Sequence, residues 1–307
     1  MLDLSNVRIA VVHTPCMDGL ASAMVIQEAL PQVDEVVFCS YGQQQLELKA
    51  EPGMLFCDFT PARERMAEFV AAGAIVLDHH VHARDIVEAF GERGRFSDDP
   101  GVSGAVLAFL HLWNGEAFDP QRSQRTWDFA RLVGIRDTWQ KGSPDWERAL
   151  ELHAVLEAFP REVWLEDGAI HVAMKGLDQG LGKSLIERKA ATIARIVEQG
   201  LVKQHTRTHA GDRLWALSCA PGELASDLAE AARAVGVDVL VNVQLQVEQG
   251  RPQFLVNLRS DKEGLDVGAL AKRFGGGGHR AAAGFQYKAA DVGAVDFFRW
   301  LIEQATL

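Results

Sequence analysis

AIVLDHH (residues 74–80) is an apolar run that stops abruptly on an acid and two imidazoles. Its aliphatic and β-branched residues read as a buried strand. Working outward, three earlier runs have the same form: RIAVV (8–12), VVFCSY (36–41) and MLFCDF (54–59). Helical stretches lie between them, at about Leu20–Leu30 and about Pro61–Ala72, the second with Thr60 as N-cap and proline in the first turn. Strands alternating with helices at this spacing predict βαβ units and a parallel sheet covered on both faces.

The position of the polar residues then matters. His13, Asp18, Asp58 and the run Asp78-His79-His80 each lie at or just past the end of a predicted strand. In a parallel sheet those ends share one edge, where open α/β sheets bind ligands. So many like charges in one small space repel unless cations neutralise them or some carboxylates take up protons. Divalent metals are the economical explanation: two ions about 3.5–4 Å apart polarise a phosphoryl group and activate water at neutral pH. The bland alternative is that a single strand-end aspartate shapes a turn and a single histidine fills a partly buried gap. Three strand ends carrying this chemistry together weigh against it.

Further along, SGAVLAFLHLW (103–113) reads as a helix capped by Ser103, with Asp98-Asp99 shaping the turn before it and Ser103-Gly104 within reach of the site. Residues 123–160 are mainly helical in character, and 184–200 fits a connecting helix ending at Gly200. Strand-like RLWALSCA, VLVNVQLQV and PQFLVNLRS then bracket helical stretches at about 223–235 and 266–274. The expected organisation is α/β: a parallel-sheet domain over 1–165, a helical connector over 166–200, and a smaller α/β domain over 201–307, with the active-site cleft between the domains. GGGGHRAAAG (275–284) has a physical sense of its own. Consecutive glycines let backbone approach a ligand and expose N–H groups to an anion, and His279 and Arg280 follow at once. Arg259 is a second candidate phosphate clamp, because guanidinium grips phosphate with two hydrogen bonds. The bland readings are a flexible turn and a surface salt bridge. Trp139, beside Asp137, is expected to pack, with lining of the cleft as the alternative, and His82 has no spacing that suggests a site.

Composition narrows the field. Over 307 residues, 48% are hydrophobic and 24% charged, an ordinary globular balance. The net charge of −11 argues against a binder of long duplex nucleic acid, which needs a basic face. No apolar run approaches the roughly 20 residues of a membrane span, and the first residues lack a signal-peptide pattern, so no membrane is expected and the location is read as cytoplasmic. The four cysteines form no CxxC pair and are expected as reduced thiols.

These motifs together resemble the DHH phosphoesterase superfamily with its C-terminal DHH-associated domain. The resemblance runs through HTPCMDG (13–19), FCDF (56–59), LDHH (77–80), Asp137 in GIRDTW and GGGGHRAAAG, five motifs in order over nearly the whole chain. It implies one metal held by His13, the position of Cys16, and Asp58, and another held by Asp18, Asp58, His79 and Asp137. It implies His80 beside the scissile phosphate as charge stabiliser or proton donor, with Asp78 orienting the histidines. Gly276, Gly277, Gly278, His279, Arg280 and Arg259 would grip substrate. The implied cofactor is a pair of Mn2+ ions, with Mg2+ or Co2+ as substitutes.

One departure stands out. The common first motif runs His-x3-Asp-x-Asp, whereas this chain has His13-x2-Cys16-x-Asp18. A related branch has a similar HxxCxDG motif and includes proteins described as oligoribonucleases (nanoRNases). Two readings of Cys16 stay open: a thiolate ligand, which shifts the first site toward zinc or iron or weakens it, or a small spacer beside a water. The expected reaction is hydrolysis of short oligoribonucleotides to mononucleotides. Cyclic mono- or dinucleotides and 3′-phosphoadenosine 5′-phosphate are close alternatives. The rival from another class is a nucleotide sensor whose catalysis has been lost, with Cys16 as the lesion. Expected partners are a short oligonucleotide or small nucleotide, and a homodimer is left open.

Overall fold

Strands buried on both faces are apolar along their length, and the three central strands of the first sheet are of this kind up to their polar ends. A computed structural model of the chain describes residues 2–113, 119–208, 211–248, 251–261, 263–288 and 292–306. The chain divides into two compact units, Met1–Ile186 and Glu187–Leu307.

The first unit runs β1 (Ile9–His13), α1 (Met17–Ala29), β2 (Glu35–Cys39), α2 (Gln43–Glu47), β3 (Met54–Cys57), α3 (Met66–Ala71), β4 (Ile75–Asp78), α4 (Arg84–Glu88), β5 (Gly94–Phe96), α5 (Gly104–Leu112), α6 (Pro120–Asp137), α7 (Trp146–Glu157) and α8 (Ala169–Asp178). The five strands form one sheet, ordered β2-β1-β3-β4-β5, with every pairing parallel. Alternate residues serve opposite faces, as the pleat requires. Ala10, Val12, Leu55 and Leu77 pack with α1 and α5–α8, while Val11, Phe56 and Val76 pack with Phe69 of α3 and Val87 of α4. This is the three-layer arrangement expected from the sequence.

Some local expectations need correction. β2 ends at Cys39, so Tyr41 lies past the strand. The helix expected from Pro61 begins only as a 3-10 turn at Arg63. Thr60 does not cap it: the residue is buried, and its carbonyl accepts from Gln45 Nε2 at 2.8 Å. α2 and β5, each five residues or fewer, are additional elements too short to leave a periodic signal. Ser103 does cap α5, accepting from the Val106 N–H, and Asp99 shapes the preceding turn by accepting from the Gly101 N–H at 2.8 Å.

The helix α9 (Leu181–Arg195) continues through a π-helical turn to Gly200. The second unit adds β6 (Val202–Thr208), β7 (Gly211–Ser218), α10 (Ala225–Ala234), β8 (Val239–Glu248), β9 (Arg251–Ser260), α11 (Val267–Arg273), β10 (Gly277–His279), β11 (Ala282–Lys288) and α12 (Ala294–Thr306). Its six strands form a mixed sheet, ordered β10-β11-β9-β8-β7-β6, parallel only between β7 and β8. α11 and α12 cover one face, and α10 covers the other. Among the described residues, no helix is long and apolar enough to cross a membrane.

Candidate metal centre

The parallel register puts the ends of β1, β3 and β4 side by side, and the polar residues that follow them converge. His79 Nε2 lies 3.2 Å from Asp58 Oδ1, 3.6 Å from Asp18 Oδ2 and 3.7 Å from Asp137 Oδ2. On the other side, His13 Nδ1 lies 4.0 Å from Asp58 Oδ2. Three sets can each offer ligand atoms within 4.8 Å of one another: His13, Cys16 and Asp58; Asp18, His79 and Asp137; and Asp58, His79 and His80. Asp58 therefore turns one oxygen toward His13 and the other toward His79.

Local backbone explains how these groups are aimed. Asp58 follows β3 in the left-handed region (φ 57°), which turns its side chain back over the sheet edge. Asp18 sits in the first turn of α1 and is 1% exposed. Both its oxygens are tied to the start of α5, accepting from the Gly104 N–H at 2.6 Å and the Ala105 N–H at 3.0 Å. A carboxylate at a helix N-terminus meets unpaired N–H groups and the positive end of the helix dipole. Asp137 arrives on the last residue of α6. Gly104 has no room for a side chain, because a Cβ there would stand 2.5 Å from the Asp58 Cβ and 3.0 Å from Asp18 Oδ2.

The electrostatics are those of an acid cluster short of positive charge. Asp18, Asp58 and Asp78 are all at most 1% exposed. Burial, and then the charge of Asp18, pushes the Asp58 carboxyl well above its ordinary range. The same two causes raise Asp137 to about 6. Asp58 Oδ2 is buried without a hydrogen-bond partner among the described residues. An orphaned carboxylate oxygen beside an imidazole nitrogen and a thiol fits a cation. A hard divalent cation suits the oxygen-rich set around His79, while Cys16 makes the other set softer.

Cys16 occupies the N-cap of α1, yet its thiol is pushed far up by burial and by Asp58 and Asp18. A thiolate forms there only if a cation offsets those charges. Asp78 has a different task. Its Oδ1 accepts from the His80 backbone N–H at 2.9 Å and lies 2.7 Å from His80 Nδ1. That contact raises the His80 pKa above its ordinary value, against the opposing effect of burial. Burial, and then the charge of His80, lowers His13 instead.

An aromatic wall completes the site and was not anticipated from the sequence. The His13 ring stacks on Phe59 (6.1 Å between centroids, 10° between planes) and meets Tyr41 at 5.0 Å. His82, set aside on spacing, lies 5.4 Å from His80 and 6.1 Å from Tyr41. Tyr41, Phe59 and His82 follow strand ends just as the acids do, so the same positional rule applied to aromatic residues would have found them. Trp139, read as a packing residue with cleft lining as the alternative, meets Trp146 edge to face at 5.4 Å and is 55% exposed.

The second unit holds the remaining predicted residues. Gly276 and Gly278 have packing reasons to be glycine: a Cβ would stand 2.1 Å from the Gly284 carbonyl in the first case and 2.5 Å from the Ala282 carbonyl in the second. Gly277 faces open space. His279 ends β10 and is exposed. Arg280 lies 3.4 Å from Asp266 and donates to the Gly264 carbonyl at 3.1 Å. Arg259 donates to the Leu258 carbonyl at 3.0 Å and to Ser226 Oγ at 3.4 Å.

No family model matches the chain, and no curated protein matches it. Solved structures do. The pGpG-specific phosphodiesterase PggH from Vibrio cholerae aligns at 14% identity with a TM-score of 0.52, over 97% of this chain and 98% of that one. The DHH domain of a member of a family of ribosomal proteins aligns at 12% identity with a TM-score of 0.49, over 98% and 86%. An uncharacterized protein from Helicobacter pylori aligns at 15% identity with a TM-score of 0.42, over 98% and 99%. At such identity the likeness to PggH is one of fold.

Proposed function

We propose that the chain is a two-metal phosphodiesterase of the DHH type that hydrolyses short oligoribonucleotides to mononucleotides. The observation that carries this reading is the Asp58 carboxylate, whose two oxygens face two different sets of ligand atoms. A pair of divalent cations bound there, manganese with magnesium or cobalt as substitutes, would supply Lewis acidity for the phosphoryl oxygens and an activated water. In this reading His13, Cys16 and Asp58 hold one cation, and Asp18, Asp58, His79 and Asp137 hold the other.

His80 does the proton work. Asp78 engages its Nδ1, which leaves Nε2 as the nitrogen able to meet a phosphate or a leaving oxygen. The raised pKa keeps the ring protonated to higher pH, the state needed to stabilise developing negative charge and to donate to the departing oxygen. Asp78 is a positioning residue. In the second unit, Gly276, Gly277, Gly278, His279, Arg280 and Arg259 are the residues proposed to grip substrate phosphates.

Two further observations support a short nucleotide substrate. The chain carries a net charge of −11, which suits a ligand with few phosphates better than a long duplex. It also shares its fold with PggH, a phosphodiesterase specific for pGpG.

The test is a panel of dinucleotides, cyclic dinucleotides and 3′,5′-bisphosphates incubated with Mn2+-loaded protein and resolved by chromatography, with Asp58→Asn as the control. Mononucleotides released from dinucleotides by the wild type alone support the reading. Binding without turnover of any panel member sinks it in favour of a sensor.

A further inference from the structure

Past the end of α6 the chain makes a tight turn that carries an exposed indole. Trp139, two residues beyond Asp137, is 55% exposed, so it contributes little to any core. Its backbone lies in the left-handed region (φ 59°), an uncommon and strained state for a bulky residue. The turn is nonetheless firmly held. Gln140 N–H donates to the Ile135 carbonyl at 2.9 Å, and Lys141 N–H donates to the Trp139 carbonyl at 2.8 Å. Trp146 braces the indole edge to face, with centroids 5.4 Å apart and planes at 79°. A rigid, exposed indole on a strained turn is a surface built to meet something flat.

Its charged neighbours suggest what. The Arg136 guanidinium and the Lys141 ammonium each lie 4.6 Å from the indole centroid. Arg136 Nε is moreover buried without a hydrogen-bond partner among the described residues, so the side chain is not held in place by an acceptor at that atom. Arg136 also lines a cavity of about 150 Å3 together with Cys16, Asp18 and Asp137, so this residue borders the acid cluster itself.

We propose that Arg136 and Trp139 clamp one nucleotide of the substrate, the indole stacking on the base and the guanidinium taking a phosphate. This rests on the reading of the adjoining acid cluster as a phosphodiesterase centre. An exposed cation–π contact is weaker than a base stack, so a nucleobase displaces the flexible Lys141 from the ring. The freed ammonium then faces a phosphate. Stacking accepts any base, so the clamp selects for nucleotides as a class without choosing among them. Inorganic pyrophosphate offers it nothing to stack.

The experiment compares a 5′-phosphorylated diribonucleotide with the same molecule lacking one base, in wild type, Trp139→Ala and Trp139→Phe. Trp139→Ala is expected to raise KM for the intact dinucleotide about 10-fold, the scale of a single base stack, with kcat within about two-fold. It is expected to leave the abasic substrate unaffected, and Trp139→Phe is expected to restore most of the loss. Arg136→Gln is expected to weaken the 5′-phosphorylated dinucleotide and spare the unphosphorylated one. Equal effects of Trp139→Ala on intact and abasic substrates, or no effect on either, overturn the stacking role. Equal losses with Arg136→Gln overturn the phosphate contact. Binding of a non-hydrolysable dinucleotide with a methylene bridge separates this proposal from the catalytic one. Trp139-dependent binding by a wild type that turns nothing over upholds the clamp and sinks the hydrolase. Turnover indifferent to Trp139 does the reverse.

Discussion

The backbone N–H of Gly104 donates to the Asp18 carboxylate at 2.6 Å, joining the first turn of α1 to the first turn of α5 across 86 residues of chain. The contact is possible only because position 104 lacks a side chain. Gly104→Ala would set a methyl 2.5 Å from the Asp58 Cβ, and both aspartates would have to move. Overpacking of this kind destabilises by about 1–3 kcal/mol, and a displacement near 1 Å at a reacting centre can lower the rate about 100-fold. Denaturant unfolding and Mn2+-dependent turnover measure the two effects. A Gly104→Ala protein with unchanged activity would show that Asp18 and Asp58 need no fixed spacing.

Asp58→Asn is expected to move activity and stability in opposite directions. Turnover should fall by about 10^3, since the amide cannot serve two cations with two anionic oxygens. The metal-free protein should become more stable at pH 8, by about 1–3 kcal/mol, because a buried charge crowded by Asp18 has been removed. Urea unfolding in a chelator checks the second effect. Loss of stability there would mean that Asp58 is a structural residue.

How much of this was legible in the sequence follows from where each residue sits. His13, Asp18, Asp58 and the Asp78–His80 run could be grouped because strands buried on both faces read as plain apolar runs, and their ends must then share an edge. Asp137 ends a helix instead, so only family resemblance pointed to it. The amides of Gly104 and Ala105 are backbone groups that almost any residue supplies, and only the crowding at 104 gives glycine a reason. Arg136 reads as one more helical charge, and its unpartnered Nε becomes visible only in three dimensions.

In the metal-free protein the acid cluster should contribute a loss of stability as pH rises from about 4 to about 6. Asp137 is raised from 3.8 to about 6 in the folded state, and Asp58 is raised as well. Between those values these two groups hold more protons in the folded form than in the unfolded form, so their contribution to stability falls with pH across that window. Cation binding requires the deprotonated carboxylates, so Mn2+ should raise the melting temperature more at pH 8 than at pH 5. Thermal melts with and without Mn2+ at the two values give the answer. A pH-independent metal effect would remove the carboxylates from the ligand set.

Asp78→Asn is expected to displace a pH profile. The hydrogen bond to Asp78 is the main cause of the raised His80 pKa, and a proton donor fails as pH climbs through that value. Weakening the acceptor lowers the pKa, so the high-pH limb of kcat should shift to lower pH and turnover at pH 8 should fall about 10-fold. A limb that stays in place while the whole profile drops would assign Asp78 to the fold alone.

Cys16 separates two accounts of the first cation. In the metal-free protein, burial and the charges of Asp58 and Asp18 keep the thiol protonated far beyond its ordinary range, so a thiolate there exists only when a cation compensates. If the sulfur ligates, Co2+ binding releases a proton from it and yields the near-ultraviolet sulfur-to-cobalt charge-transfer band. Cys16→Ser should abolish that band and weaken one of the two binding events by about 10- to 100-fold, and Cys16→Asp should restore affinity without the band. The approach of His13 and Cys16 to Asp58 favours this outcome, since their ligand atoms converge with Asp58 Oδ2, which has no hydrogen-bond partner among the described residues. A wild-type cobalt spectrum lacking the band, with Cys16→Ser binding two cations as tightly as the wild type, would make Cys16 a spacer and leave His13 and Asp58 to hold the ion.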